Sequence, residues 1–494
     1  MANMKSLAND TAIYGLSSIV GRFLNYLLVP LYTHYMPKDS GDYGISTNMY
    51  AYTALILVLL TFGMETTLFR FANEEVPSDA KQQGKRWPDT VFTTSFAVVG
   101  TLTVLFLILL FNFITPISNT LGYQKHPDYL LMMGVVVALD ALQAIPFSYL
   151  RFQKRPIRFA SLKLLFIFMN IALNLIFFVW LGKTSVFYVF FLNLLCTGFI
   201  TFFFIPDLLH IQWHFDGKLL RRMFSYSWPI LVLGIAGILN QVADKILFPL
   251  IYPDRVAADI ELGIYGSCVK IAMIMAMITQ AFRYAYEPIV FAKSKDADKG
   301  EYYASAMKYF LIFTLLAFIC VIGWMPVLKY IIGSGYREGL GVVPIVMAAE
   351  IMMGIYFNLS FWYKLIDKTI YGAWFSLAGC LVLLAVNILL IPKYSYWACA
   401  WGGVAGYGTS MLLSYFVGQK KNPIPYPMKE IGCYVLLAAF ISFMILFFKD
   451  RLAWWLTLII NTAWIMVFVA YIIKHDLPLA NIPVIGKYFK KQNK

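Results

Sequence analysis

Apolar residues along the chain fall into long runs, each closed by a short cluster of charge, proline or glycine. The runs occupy about residues 10–36, 42–70, 90–114, 128–151, 157–181, 185–208, 220–251, 262–291, 303–331, 339–363, 368–391, 396–418, 428–448 and 452–473, fourteen in all. A helix rising 1.5 Å per residue needs roughly 20 residues to cross the ~30 Å hydrocarbon core of a bilayer. The pattern therefore predicts an all-α polytopic membrane protein with about 14 transmembrane helices. The runs are of two kinds. Residues 98–111 and 381–390 are continuously apolar, whereas the first, second, seventh and eighth runs carry Asn, Gln, Ser, Thr and charge throughout. Helices of the second kind are expected to face a watery interior or a protein partner, because polar groups in lipid are costly.

The loops between runs set the orientation. With the N-terminus assigned to the cytoplasm, loops on that side hold 24 Lys and Arg and the opposite loops hold 9. The positive-inside rule then places both termini in the cytoplasm, as an even number of spans requires. The same rule accounts for the net charge of +14, which in a soluble chain would suggest nucleic acid. Composition agrees, since 60% hydrophobic and 13% charged residues exclude a string of soluble domains. Seven cations are left within or at the edges of spans: Arg22, Arg70, Lys163, Lys245, Lys270, Arg283 and Lys308.

The chain also repeats itself. Residues 15–30 read GLSSIVGRFLNYLLVP and residues 234–249 read GIAGILNQVADKILFP, each followed by a Gly-x-Tyr-Gly sequence that starts the next helix, GDYG at 41–44 and GIYG at 263–266. The offset is 219 residues at the prolines and 222 at the tyrosines. Six spans separate each element from its copy, so the halves share one topology and should be parallel bundles. Asp140 and Glu350, acids near the middle of the fourth and tenth spans, correspond in the same way, as do Asp128 with Glu338 and Lys154 with Lys364. The expected organisation is a six-helix lobe at 1–210, a second at 211–420, and two unrepeated helices with a basic cytoplasmic tail at 421–494.

Parallel repeats joined along a polar seam describe a transporter whose substrate path lies between the halves. A charge at mid-bilayer costs at least about 2.5–3.5 kcal/mol, so it persists only with a partner, a water-filled cavity or a function. Arg22, Lys270, Lys245 and Arg283 are the candidate cavity cations. Arg283 and Glu287, four apart, read equally as an intrahelical ion pair. Asp244 and Lys245 are adjacent, and neighbours on a helix point about 100° apart, so they are expected not to pair simply with each other. Asp140 and Glu350 lack a basic residue three or four positions away and, with Asp244, are candidates for carrying H+ or Na+. Tyr14, Tyr26, Tyr50 and Tyr265 could stack on sugar rings. Residues 402–406 begin and end in glycine at the spacing that allows close helix approach. Pro30, Pro229 and Pro249 are expected to bend the first and seventh spans.

Enzyme motifs are missing: HExxH, GxSxG, Walker A and the dinucleotide-binding glycine loop do not occur, and no long loop offers an acidic metal site. The six cysteines are scattered singly, without CxxC, and read as small buried residues; no metal or cofactor is expected. The opening MANMKSLANDTAIYG lacks a compact apolar core with a cleavage site, so a removable signal peptide is not expected.

The stretch LANDTAIYGLSSIVGRFLNYLLVPLYTHYMPKDSGDYGISTNMY resembles the start of the polysaccharide biosynthesis proteins. These are the O-antigen type oligosaccharide flippases of the multidrug/oligosaccharidyl-lipid/polysaccharide exporter superfamily. The shared elements are a polar first helix with Gly and Arg at its centre, a Pro-Leu-Tyr end, and a loop closing on Gly-x-Tyr-Gly. The resemblance implies a two-lobed, V-shaped transporter with a cation-lined cavity in the bacterial inner membrane. It implies translocation of undecaprenyl-pyrophosphate-linked oligosaccharide to the outer leaflet for O-antigen, capsule or exopolysaccharide, with a polymerase and chain-length machinery as partners. Cations such as Arg22 and Lys270 suit a pyrophosphate in a low-dielectric cavity. Two negative charges leaving an inside-negative cell gain about 4.6 kcal/mol per 100 mV, so potential alone could help drive export. The rival readings are a cation-coupled multidrug exporter of the same superfamily, a lipid II flippase, and a membrane-embedded glycosyltransferase.

Overall fold

The computed structural model describes residues 26–75, 86–292, 299–366, 368–448, 451 and 453–476. Among them every regular element is helical. The principal helices are α1 (Leu28–Tyr35), α2 (Asp42–Thr61), α3 (Met64–Ala72), α4 (Trp87–Asn112), α5 (Ile114–Leu121), α6 (Pro127–Phe152), α7 (Pro156–Leu175), α8 (Val186–Phe202), α9 (Ile205–Leu209), α10 (Gly217–Ile251), α11 (Arg255–Ala292), α12 (Lys299–Gly323), α13 (Val343–Leu359), α14 (Ile370–Tyr394), α15 (Tyr396–Lys421), α16 (Met428–Phe448) and α17 (Trp454–His475).

Twelve helices among the described residues are long and apolar enough to cross a membrane, taking α2 with α3 as one. Two of the fourteen expected stretches stand outside that set. The first lies mostly outside the described residues and contributes only α1 at its end. The twelfth forms α15, a helix of 26 residues that Gly402, Gly403, Gly406, Gly408, Ser410 and Ser414 make less apolar.

Local chemistry explains the helix boundaries. Proline opens α6 and α7, where its missing N–H costs nothing. Asp216 caps α10, accepting from the N–H groups of Lys218 and Leu219 at 2.8 and 3.1 Å. Asp254 caps α11 through Val256 N–H at 2.9 Å. This cap, with the Arg255–Asp259 ion pair one turn in, moves the start of the eighth span back from the expected 262 to Arg255. Consequently GIYG at 263–266 lies inside α11, while GDYG at 41–44 does open α2. The second span is not continuous either: Phe62 and Gly63 adopt φ of 49° and 67°, ending α2 and starting α3. Pro229 and Pro249 both lie within the single helix α10.

The chain divides into two compact units, Met1–Ser267 with Cys380–Gly402, and Cys268–Gly379 with Gly403–Lys494. In the first, α2, α3, α4, α6 and α10 enclose a core around Met64, Leu68, Val91, Phe92, Ala141, Ile145 and Met223. Several polar side chains of this unit find protein partners: Gln143 Nε2 donates to Thr197 O and Thr201 Oγ1, and Tyr32 OH donates to Asn174 Oδ1 at 2.9 Å. In the second unit, Tyr286, Tyr303, Tyr356, Phe361, Trp362, Tyr363 and Phe375 form an aromatic core. There the expected close approach at the glycine pair is present, because a β-carbon on Gly379 of α14 would stand 2.6 Å from Gly406 O of α15. The unrepeated helices α16 and α17 join α12, where Lys308 pairs with Glu430 and Asp476, and Asn461 Nδ2 donates to Gly323 O at 2.9 Å.

Candidate functional site

The candidate residues divide between the units. Arg22 and Tyr14 lie outside the described residues. Asp140, Asp244 and Lys245 belong to the first unit, and Lys270, Arg283 and Glu350 to the second.

In the first unit the structure corrects one expectation. Asp244 and Lys245 do pair: Lys245 Nζ donates to both Asp244 oxygens, at 2.9 and 3.0 Å, and to Gln241 O at 3.1 Å. The four-carbon lysine stem folds back over the preceding turn, so its ammonium reaches a carboxylate that the 100° offset of the Cα–Cβ bonds turns away. Tyr265, the tyrosine of the second Gly-x-Tyr-Gly, donates its hydroxyl to Asp244 Oδ2 at 2.8 Å. Its role here is to hold a carboxylate. The network extends through the backbone, since Asn48 Nδ2 donates to Lys245 O and Tyr123 OH donates to Asn48 Oδ1, both at 2.7 Å. The Arg255 guanidinium lies 4.8 Å from the Tyr123 ring centroid and 2.8 Å from Asp259 Oδ1.

Asp140 on α6 acquires a counter-charge that its own helix does not supply: Lys163 of α7 is the cation acting on it, and the Lys163 ammonium rests 4.0 Å from the Phe147 ring centroid. The sequence contained a usable signal. Asp140 and Lys163 lie 13 and 10 residues from the Gln153 turn that joins two antiparallel spans, which sets both at comparable depth. Glu65 of α3 accepts hydrogen bonds from Arg151 and Ser148 of α6, while Arg70 stacks 4.1 Å from the Tyr226 ring. Tyr50 accepts a hydrogen bond from Asn193 Nδ2 at 2.9 Å. The Tyr26 hydroxyl is buried without a partner.

In the second unit Lys270 and Glu350 are half-buried and Arg283 is exposed. The Arg283 guanidinium lies 4.9 Å from the Phe357 ring centroid. Around it, Thr279, Phe282, Tyr286, Gly354, Asn358, Phe361 and Lys364 line a shallow recess. Thr279 Oγ1, one turn before Arg283, is buried there with no hydrogen-bond partner. Two cations, an unsatisfied hydroxyl and aromatic faces give this recess the chemistry to meet an anionic, hydroxyl-rich group, although its volume of about 10 Å³ holds no more than a water in this conformation. Glu287, the expected i,i+4 partner of Arg283, has a side chain outside the described residues.

Comparison with known proteins follows the same lines. The family model described as polysaccharide biosynthesis protein matches residues 7–291, more than half of the chain. No curated protein matches the sequence. Among solved structures the fold is similar to the lipid II flippase MurJ in its inward closed conformation, with TM-score 0.74 and 15% identity over 93% of this chain and 98% of that one. It is also similar to a multidrug resistance MATE family transporter of the MOP superfamily in its inward-facing conformation, with TM-score 0.65 and 12% identity over 81% of this chain and 94% of that one. At such identities the likeness is one of fold.

Proposed function

The chain belongs to the polysaccharide biosynthesis protein family, and from that premise we propose that it is a flippase for polyprenyl-pyrophosphate-linked oligosaccharide. It carries the glycan head group from the cytoplasmic to the outer leaflet by alternating access, with both termini cytoplasmic, for assembly of a cell-surface polysaccharide. The observation that carries this reading is the recess at Arg283, where a guanidinium on an aromatic face adjoins Lys364 and the unsatisfied Thr279 hydroxyl. Pyrophosphate asks for cations, and sugar asks for aromatic faces and hydroxyl partners.

The carboxylates favour the same reading over a cation exporter. Asp244 is held by Lys245 and Tyr265, which leaves it ill placed to receive a cationic drug, and the Lys163 cation acts on Asp140. Membrane potential then supplies the drive, about 2.3 kcal/mol per charge per 100 mV, and coupling to H+ or Na+ is not needed.

The test is transbilayer movement of a labelled polyprenyl-pyrophosphate oligosaccharide in proteoliposomes, with and without an imposed potential. Arg283→Ala, Lys270→Ala and Arg22→Ala should each slow movement at least about tenfold, the loss expected for one charge-assisted hydrogen bond. Unchanged movement in all three would remove the cationic-site mechanism. Efflux of ethidium-type cations without glycan movement would transfer the assignment to a drug exporter, and movement of lipid II alone to a lipid II flippase.

A further inference from the structure

A well-defined cavity lies away from all of these cations. It lies in the first unit, at the ends of α4, α6, α7 and α9, and has a volume of about 520 Å³. Its polar wall is formed by Arg86, Arg155 and Arg158 with Asp89, Asp207 and His210. Three guanidiniums therefore share two carboxylates. Arg155 Nη1 bonds Asp207 Oδ1 at 2.9 Å, and Arg158 bonds Asp207 Oδ2 at 3.1 Å and Phe203 O at 2.6 Å. Arg86 is 3.8 Å from Asp89, beyond a hydrogen bond, and Asp89 is already engaged by Tyr149 OH and by Gln212 N–H. The cavity thus has a surplus of donors with a positive balance. Arg86 and Arg155 are 64% and 49% exposed at the side chain, so their donors are reachable from outside.

The chain on either side of the lining segments at 155–158 and 206–211 carries exposed apolar side chains. Ile157, one residue from the arginine pair, is 77% exposed, Leu209 is 78% exposed, and Phe202 and Trp213 are 67% and 52% exposed. At the end of a spanning bundle, such residues lie against acyl chains, with Trp213 at the interface. Basic forks beside an open apolar rim match one amphiphile: a phosphate-bearing head group whose chains remain in the membrane.

We infer that this cavity binds an anionic phospholipid of the adjacent leaflet, its phosphate on Arg86, Arg155 and Arg158 and its chains along Ile157, Phe202 and Leu209. Asp207 competes with that phosphate for the same two guanidiniums. The site is separate from the flipping recess and stands whether or not the proposed substrate is correct.

The experiment measures lipid retention by the detergent-purified, delipidated full chain, titrated with phosphatidylglycerol or with phosphatidylcholine of the same acyl chains, read by native mass spectrometry. Wild type should retain phosphatidylglycerol preferentially. Arg155→Gln with Arg158→Gln, and separately Arg86→Gln, should weaken that preference about tenfold. Asp207→Asn should strengthen it, an effect that a purely structural ion pair does not produce. Arg86→Gln and Asp207→Asn keep the test decisive if the double variant fails to fold. Equal retention of the two lipids, or a preference unchanged by Arg86→Gln and Asp207→Asn, would overturn the site. Displacement of phosphatidylglycerol by millimolar glycerol 1-phosphate would make the occupant a soluble phosphate ester and overturn the lipid assignment.

Discussion

Gly44 lies directly against Asp259: a β-carbon at Gly44 would stand 1.7 Å from the Asp259 carbonyl oxygen and 2.9 Å from Gly263 N. On the other side of the crossing a β-carbon at Gly266 would stand 2.6 Å from Thr47 Oγ1. The two copies of Gly-x-Tyr-Gly, 222 residues apart, therefore meet, each glycine admitting the helix that carries the other. Small residues let backbones approach this closely in membranes, where contact and dispersion must replace the hydrophobic effect.

Gly44→Ala should be strongly destabilising, at or beyond the roughly 1–3 kcal/mol usual for an overfilled core, because the obstacle is backbone and cannot rotate away. Gly266→Ala meets a threonine side chain and should cost less. Gly100→Ala meets nothing within 4 Å and should be neutral or slightly favourable. Thermal unfolding of the three variants in detergent checks this order, and a Gly44→Ala protein as stable as Gly100→Ala would contradict it.

The Asp244, Lys245 and Tyr265 cluster predicts coupled effects. Lys245→Met leaves a mostly buried carboxylate with one tyrosine hydroxyl, whereas Asp244→Asn with Lys245→Met leaves no charge to solvate. Breaking a buried pair from one side costs up to about 3–5 kcal/mol, while replacing both partners is often close to neutral. The double variant should therefore unfold at a higher temperature than Lys245→Met alone, and Tyr265→Phe should cost only about 1 kcal/mol. Additive single effects would show that the pair contributes nothing.

Lys308 predicts how the unrepeated helices are held. Its side chain is 14% exposed and joins Glu430 at the start of α16 to Asp476 at the end of α17, and Tyr434 OH also reaches Asp476. Lys308→Met should loosen both helices together, visible as faster proteolysis after residue 421 with the preceding chain protected. Glu430→Gln should have a small effect, since Glu430 is 57% exposed and solvent screens it. Cleavage rates equal to wild type in Lys308→Met would remove the anchoring role.

The membrane class and the position of twelve of the fourteen expected spans were legible because each rests on composition or local periodicity. Pairings across helices were less so. Asp140 looked unaccompanied because a helix rule searches three and four residues away, and the cation acting on it, Lys163, is on the next span. Asp244 and Lys245 were misjudged because Cβ direction says little about where a flexible lysine ends. The interior start of GIYG was hidden by the cap at Asp254, a single residue in a short loop. The arginine cavity had no sequence signal beyond a basic loop, since Asp207 arrives from a different helix.

The action of the Lys163 cation on Asp140 offers a way to separate structure from ion coupling. Asp140→Asn removes one of the two carboxylates, with Glu65, that act on Lys163, and Lys163→Met leaves Asp140 without its counter-charge. Either alone should lower stability and, through it, glycan movement. If the acid only balances the lysine, Asp140→Asn with Lys163→Met should regain most of the wild-type movement, with the same dependence on imposed potential. If instead Asp140 carries the proton or sodium ion that drives export, the double variant stays inactive however well it folds, because that carboxylate is gone. Proteoliposome flipping by the two single variants and the double, measured with a potential and then with a pH or sodium gradient, decides between them. Recovery in the double variant driven by potential alone is the expected result.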